Sequence, residues 1–486
     1  MMKSFKTADD YFDVTLTAGE VTLAEVPCYV YLPLKVADEI ELHFRPTEEQ
    51  VRVIFQGDFS FFSVYGESSD GKSVRQKIEA EFVKYDRILK TASYGPYDLL
   101  IAKPFDIRII DIDGGRESEK LYFTFRLTPN VLFNGLPHKK RIEEFGDETR
   151  TRWYSELQFD EATRFEFTHR RKTYQTDNGD TATFYDLTAN IEFDRTSPNV
   201  PTIDNLLRQV DDVMLLASVA ARNLTMCLSW ESYDGGTITK QFLRDRAIPN
   251  EIELNRNGIS PVIDFKEFGP FLLAGYKGLK GYIELDALRQ VFYALILVER
   301  TTIEAGYIQL FTALEMIVLH FKRRTGGEFI FPDAVFRKSI RKSIATFIKE
   351  MKVIGESVDG QTISTSKNLM KQNLGGLNRI SLSTAFESFC HAEPYDLDLK
   401  DLWPIQSSTG KRSLTDIRNR LVHGEHFANS HYQSLICASQ HLQWIVERML
   451  LKVVGWPIER SLISPQALQK SSHWINWREN QNSLEL

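Results

Sequence analysis

The residues best suited to chemistry in this 486-residue chain lie in one short segment, Ser413 to Phe427, which reads SLTDIRNRLVHGEHF. An unperturbed imidazole titrates at about pH 6.5 and can exchange protons near neutrality. A guanidinium is shaped to pair with phosphate or carboxylate oxygens. Arg418, Asn419 and His423 therefore offer acid–base chemistry beside a group that binds anions. Such a set needs a rigid element that presents its polar side chains at a fixed angle.

The segment has the spacing of one short, well-bounded helix. His423 points nearly opposite to the apolar side, Asn419 lies one turn before it on the same side, and Arg418 flanks the boundary. Ser413 or Thr415 can cap the N-terminus. At about 100° per residue, the apolar stripe consists of Leu414, Ile417 and Leu421.

Spacing alone leaves two interpretations of His423 open. A cation in the last turn of a helix, just before a glycine, is favoured by the helix dipole and by C-capping, and Gly424 stands in that place. In the second interpretation the imidazole performs chemistry. A role in the core fits poorly, because His423 lies off the apolar stripe.

The motif and its surroundings resemble a known family. Arg418-Asn419-x-x-x-His423 resembles the R-x4-6-H signature of HEPN domains. An earlier predicted helix, YIQLFTALEMIVLHF, carries an ALE core similar to that of the Apea-like HEPN group, and one long closing helix follows the motif. In the front half, VDDVMLLASVAARNLTMCLSWE and VYGESSDGKSV resemble the N-terminal domain of ApeA-type proteins. The resemblance covers most of the chain.

The resemblance implies a metal-independent endoribonuclease, in which a ribose 2′-OH attacks the adjacent phosphate. By position, His423 would act as general base or acid, Arg418 would stabilise the charge that develops on the phosphate, and Asn419 would orient the His or the phosphate. Arg420 is a weaker candidate for phosphate contact. Glu315 resembles an acidic residue that family members place near the Arg, or else it is an ion-pair partner that only holds Arg418.

The resemblance also implies a biological setting. ApeA-type proteins act in antiphage defence by abortive infection, so the chain would be a toxin that cleaves host RNA, with tRNA as a candidate. The front domain would restrain it or sense a trigger such as a phage protein. The site would form between two protomers of a homodimer. The alternative is a non-catalytic HEPN module that holds a nucleotide or a protein partner in the same groove.

A basic cluster follows the ALE helix. The net charge of −7 argues against nucleic-acid binding over the whole surface, but nine basic and three acidic residues lie between Lys322 and Lys352, a local charge of +6. An acidic protein needs such a patch to bind RNA, although a solvated helix face explains the cluster as well. The candidate RNA-binding residues are Arg323, Arg324, Arg337, Lys338, Arg341 and Lys342.

Two other motifs are weaker. Gly66 to Ser73, GESSDGKS, matches the phosphate-loop pattern G-x-x-x-x-G-K-[ST] letter for letter. Strand-like alternation on both sides, and the turn-forming pair Asp70 and Gly71, favour a two-residue hairpin over a nucleotide site. The histidines around the motif, His423, His426 and His431, lack acidic or Cys ligands at regular spacing, so no metal and no other cofactor is expected.

Periodicity predicts an α+β, multidomain chain. We expect an antiparallel β-rich N-terminal domain over residues 1–245, a connector over 246–286, an all-α HEPN helical bundle over 287–457 and a polar, peripheral tail over 458–486. The four cysteines form no C-x-x-C pair and read as free thiols. The first residues, MMKSFKTADDYFDV, contain no apolar core of signal-peptide length, and no run of 18 apolar residues occurs. A cytoplasmic protein without a membrane partner is therefore expected.

Overall fold

The chain divides into two compact units, Met1–Lys277 and Gly278–Leu486. The structure is a computed structural model. It describes residues 10–31, 40–57, 59–68, 75–89, 99–104, 106–112, 119–145, 148–160, 163–175, 181–194, 201–234, 237–244, 260–281, 285–297, 301–351, 357–358, 361–406, 412–425 and 427–484.

The strands of the first unit form one antiparallel sheet among the residues that the structure describes. The strands are β1 Asp10–Ala18, β2 Val21–Tyr31, β3 Glu41–Phe44, β4 Phe61–Ser68, β5 Gln76–Leu89, β6 Leu99–Lys103, β7 Asp106–Asp111, β8 Lys120–Leu127, β9 His138–Phe145, β10 Glu148–Gln158, β11 Arg164–Gln175, β12 Thr181–Asp194, β13 Cys227–Asp234 and β14 Thr237–Arg244. A separate two-stranded ladder in the second unit joins β15 Ser357–Val358 and β16 Gln361–Thr362.

Helices dominate the second unit. The α-helices of the described chain are α1 Glu48–Gln56, α2 Ile203–Ala221, α3 Phe268–Lys280, α4 Leu285–Leu297, α5 Ile303–Thr325, α6 Asp333–Val335, α7 Arg341–Glu350, α8 Ile363–Gln372, α9 Leu382–His391, α10 Leu414–Val422, α11 Tyr432–Val453, α12 Pro465–Leu468, α13 Ser472–Ile475 and α14 Trp477–Ser483. Phe336–Ile340 is a π-helix between α6 and α7. The 3₁₀ helices are Val131–Gly135, Asn373–Asn378, Asn429–His431 and Ile458–Arg460. Among these described helices, none combines the length and apolarity that a bilayer crossing requires.

The first six strands close on themselves. The order β4-β1-β2-β3-β6-β5 is completed by pairing of β4 with β5, so this part is a small barrel. Alternation fills its interior: Phe12, Val14 and Leu16 of β1 are at most 1% exposed, whereas Asp13 between them faces out. The remaining strands continue the sheet in the order β7-β14-β13-β8-β12-β11-β10-β9, and α2 packs on this part through β13.

Residues 69–74, which include most of the phosphate-loop-like stretch, lie outside the described residues. The described segments on both sides favour the hairpin interpretation over a nucleotide site. Both flanking segments are strands, and β5 begins at Gln76 where a nucleotide site would need a helix. Gly66 lies inside β4, and a Cβ there would stand 2.3 Å from the backbone oxygen of Asp13, so this glycine allows two strands to approach. Among the described residues Glu67 pairs with Lys77, and the predicted turn pair, Asp70 and Gly71, lies outside them.

Helix α11 is the centre of the second unit. All its residues from His441 to Lys452 are buried, because α4, α5 and the tail helices α13 and α14 pack around it. The expectation of a peripheral tail over 458–486 was wrong: Trp477 is 7% exposed and Leu484 1%. The tail is polar on average, but its few large apolar side chains are placed to cover the central helix.

The unit boundary lies inside the stretch 246–286 that the sequence predicts as a connector, and part of that stretch is the helix α3. Residues 245–259 lie outside the described residues. All four cysteines are buried and have free thiols.

Candidate active site

The motif residues lie on α10, whose start is fixed locally. Ser413 is the N-cap: its Oγ accepts from the Asp416 backbone N–H at 3.2 Å, and Asp416 Oδ2 accepts from the Ser413 backbone N–H at 2.8 Å. This reciprocal pair is a capping box. Of the predicted apolar stripe, Leu414 and Ile417 are 0% exposed, and Leu421 near the helix end is half-buried.

A second set of contacts anchors the same end of α10 to its surroundings. The Tyr307 hydroxyl on α5 donates to the Leu414 carbonyl at 2.8 Å. Burial raises the pKa of Tyr307 well above its usual value, so the hydroxyl stays a donor. Thr415 Oγ1 donates to the Ile405 carbonyl at 2.7 Å. The N-terminal half of the motif helix is therefore rigidly placed.

Arg418 extends from α10 onto α5. Its Nη2 lies 3.4 Å from Glu315 Oε1, its Nη1 donates to Asn419 Oδ1 at 3.2 Å, and its Cζ lies 5.8 Å from the ring centroid of Phe311. Phe311 is buried, but the Arg418 side chain is one-third exposed. The guanidinium is thus oriented from three sides while part of it remains open to solvent and to a ligand.

The side chain of His423 is exposed at the C-terminal end of α10. Among the described residues, its imidazole makes no hydrogen bond or ion pair. The helix end is closed by the backbone: Gly424 has φ +78°, its N–H donates to the Leu421 carbonyl at 3.1 Å, and the Glu425 N–H donates to the Arg420 carbonyl at 3.0 Å. These bonds form a Schellman motif, so side-chain capping does not explain the imidazole.

Asn419 and Arg420 have partners that spacing did not indicate. The Asn419 amide oxygen accepts from Arg418, and its side chain is not bonded to His423. Arg420 Nε donates to Glu425 Oε2 at 2.6 Å, and its Cζ lies 4.7 Å from the Phe427 ring centroid. The guanidinium of Arg420 is therefore committed to the turn that follows the helix.

The basic cluster is exposed, and its side chains are not bonded to the motif residues of α10. None of the six candidate RNA-binding residues makes a hydrogen bond or ion pair to Arg418, Asn419 or His423 in the described part of the chain. Arg337 pairs with Asp333 at 2.8 Å. Lys322 donates to the Ile380 carbonyl, and burial lowers its pKa, so this lysine is a structural group. The six exposed residues are Arg323, Arg324, Arg337, Lys338, Arg341 and Lys342.

Within the described residues, no three His, Cys, Asp or Glu side chains are grouped to hold a metal ion; His426 lies outside them. The site thus consists of an imidazole, two arginines with carboxylate partners and an amide.

Four participants were not predicted: Tyr307, Phe311, Glu425 and Phe427. Phe311 had a usable signal, since it lies one turn before Glu315 on the same helix.

Comparison with known proteins adds no relative: no family model, no curated protein and no solved structure matches the chain.

Proposed function

We propose that the chain is a metal-independent endoribonuclease of the HEPN type, with His423 as proton-transfer group and Arg418 as phosphate ligand. The single observation that carries the proposal is the exposed end of α10. There an imidazole without a bonded partner in the described chain follows, by five residues, a guanidinium held by Glu315, Asn419 and Phe311 but still one-third exposed.

The chemistry follows from these groups. A neutral imidazole removes the proton of a ribose 2′-OH, and that oxygen attacks the adjacent phosphorus. The bond to the 5′-oxygen breaks, leaving a 2′,3′-cyclic phosphate and a 5′-hydroxyl. The planar guanidinium of Arg418 stabilises the negative charge on the phosphate oxygens. No step needs a metal ion.

One imidazole cannot remove a proton on one side of the phosphorus and donate one on the other at the same moment. A second copy of the motif, facing the first across a twofold axis, would supply the second imidazole. A homodimer is therefore part of the proposal, as are a role in antiphage defence by abortive infection, host RNA as substrate, and restraint by the β-rich unit.

A binding module without catalysis is the second candidate. Both arginines of α10 already have a carboxylate partner, Glu315 for Arg418 and Glu425 for Arg420. The local positive charge is therefore largely neutralised, which lowers the attraction for a long RNA chain and favours a small ligand such as a nucleotide, or a protein partner.

The test is cleavage of total RNA and tRNA by the purified full chain in EDTA, alone and with extract of phage-infected cells. Wild-type protein should yield fragments ending in 2′,3′-cyclic phosphate, and His423→Ala and Arg418→Ala should each lose about 100-fold or more in rate while keeping the oligomeric state. Matched controls are His391→Ala and Arg289→Ala, which alter an exposed His and a helical Arg elsewhere in the unit. If the wild-type protein cleaves no RNA under either condition, the ribonuclease proposal fails and the binding module becomes the better candidate.

A further inference from the structure

Arg420 and Glu425 occupy the two defining ends of the turn that closes α10. Arg420 is the third residue from the helix end, and Glu425 is the second residue beyond the C-cap His423. In a Schellman motif these two positions meet, and an apolar contact between them is usual. Here an ion pair of 2.6 Å takes that place, and Phe427 lies against the same guanidinium.

From this arrangement we propose that Arg420, Glu425 and Phe427 form a clamp that positions His423, the residue enclosed by the turn. The inference rests on the proposed ribonuclease function, in which His423 transfers the proton. Arg420 then acts through the backbone turn and is a positioning residue, in contrast to the role of phosphate ligand that the sequence suggested for it.

The bonding of Arg420 favours the clamp. A phosphate ligand needs N–H groups that can leave their partner, as Arg418 can from its 3.4 Å contact with the Glu315 carboxylate. Arg420 instead makes a short charge-assisted bond through Nε, and its Cζ lies 4.7 Å from the Phe427 ring centroid. Both contacts fix the guanidinium toward the C-terminal side of the turn.

The turn needs such support because its backbone depends on one residue, Gly424, in the left-handed conformation. Gly424 has φ +78°, and a Cβ placed on it would meet nothing within 4 Å. Tertiary packing therefore does not hold this position. The His423 N–H donates to the Asn419 carbonyl at 3.0 Å, and beyond this bond the two Schellman bonds and the Arg420 side chain hold the turn around His423. Proton transfer is sensitive to displacements of about 1 Å.

The variant Glu425→Gln distinguishes the positioning role of Arg420 from a role as phosphate ligand, because the two roles predict opposite changes in the rate of RNA cleavage. If the clamp positions His423, loosening it should lower kcat for RNA cleavage by about tenfold, with KM nearly unchanged. If Arg420 binds phosphate, removing the competing carboxylate should leave cleavage unchanged or increase it. Phe427→Leu should lower kcat in the same way, and Phe427→Tyr, which keeps the ring, should restore it. The matched control is Asp286→Asn, which removes an exposed helical carboxylate from its 2.8 Å pair with Arg289.

Amide hydrogen exchange of the segment 421–427 gives a readout that does not depend on activity. In Glu425→Gln and Phe427→Leu, exchange there should be about two- to fivefold faster, and in Asp286→Asn it should be unchanged. Unaltered exchange in the first two variants, or unreduced cleavage by Glu425→Gln, would overturn the clamp. Wild-type protein that cleaves no RNA would overturn the proposed function, while the exchange result would still decide whether the clamp holds the turn.

Discussion

The helical unit contains two arginine–carboxylate pairs that differ in almost every physical respect. Arg448 on α11 is 0% exposed, binds both oxygens of Asp401 at 2.7 Å, and donates through Nε to the Ile463 carbonyl at 2.8 Å. Arg418 on α10 is one-third exposed and reaches Glu315 with one contact of 3.4 Å. The first guanidinium is out of reach of any ligand because it is fully buried, whereas the second is open to one.

The same contrast separates two histidines. His441 is fully buried; its Nδ1 accepts from the Trp403 backbone N–H at 3.1 Å, and its Nε2 lies 3.1 Å from the His473 carbonyl oxygen. A carbonyl only accepts, so Nε2 carries the proton and the ring is neutral. His423 is exposed and lacks bonded partners in the described chain. The residue type alone therefore does not identify a functional site. A buried side chain whose hydrogen-bonding groups all have fixed partners has a structural role, whereas a side chain that is held in place but still exposed can act on a ligand.

The largest expected effect comes from breaking the buried pair. Asp401→Asn leaves the Arg448 charge buried with a neutral partner, and we expect a loss of about 3–5 kcal/mol in the free energy of unfolding. Burial by itself would raise the pKa of Asp401, but the ion pair with Arg448 outweighs burial and lowers it. Urea unfolding of the full chain at pH 7 measures the change.

The control for this variant is Asp398→Asn, three residues away, whose carboxylate is mostly exposed and lies 3.7 Å from Lys400. It should change stability by less than about 0.5 kcal/mol. Equal losses in the two variants would mean that burial does not distinguish the pairs.

The second effect depends on pH. Burial lowers the pKa of His441 from 6.5 to about 4, and a second ring proton would face the Trp403 N–H. Between these two values the unfolded chain holds the proton and the folded chain does not, so stability falls as pH falls through this window. The whole shift corresponds to at most about 3 kcal/mol.

His441→Gln tests this window, because an amide keeps a donor and an acceptor but does not titrate. Unfolding midpoints measured from pH 7 to pH 4 should fall less steeply in His441→Gln than in the wild type. A slope in His441→Gln as steep as that of the wild type would contradict the assignment.

The spacing of residues close together in the sequence predicted the features that depend on neighbouring residues. The apolar stripe of α10 is buried at Leu414 and Ile417 because a helix of nine residues needs only its own spacing to define a face. The α+β class also followed from periodicity, since strands alternate in the first unit and helices follow from Leu285. The HEPN bundle stays a prediction, and the second unit is not all-α because it contains the β15–β16 ladder. The helix α3 was missed because glycines break its pattern.

Contacts between residues far apart in the sequence were mostly not predicted, and the contact of Glu315 with Arg418 was expected only from the family resemblance. The tail gave no periodic signal, yet Trp477 is buried on α11 because a single large side chain fills a space that other segments define. Phe311 lies under Arg418 although the two are separated by more than 100 positions in the sequence. The family resemblance suggested Arg420 as a weaker candidate for phosphate contact, whereas its partners depend on how the chain turns after Gly424.

The smallest expected change in stability gives the sharpest comparison between the exposed and the buried arginine–carboxylate pair. Glu315→Gln is the counterpart of Asp401→Asn, since each removes the charge from an arginine's carboxylate partner. Because Glu315 and Arg418 are both about one-third exposed, solvent screens the pair, and we expect stability to change by less than about 1 kcal/mol. RNA cleavage should persist, with a KM that is unchanged or lower, since Arg418 no longer shares its donors with a carboxylate. Loss of cleavage at intact stability would instead give Glu315 a chemical role. A loss of stability similar to that of Asp401→Asn would show that Arg418 is held as firmly as Arg448, in which case its guanidinium would not be free to meet a phosphate.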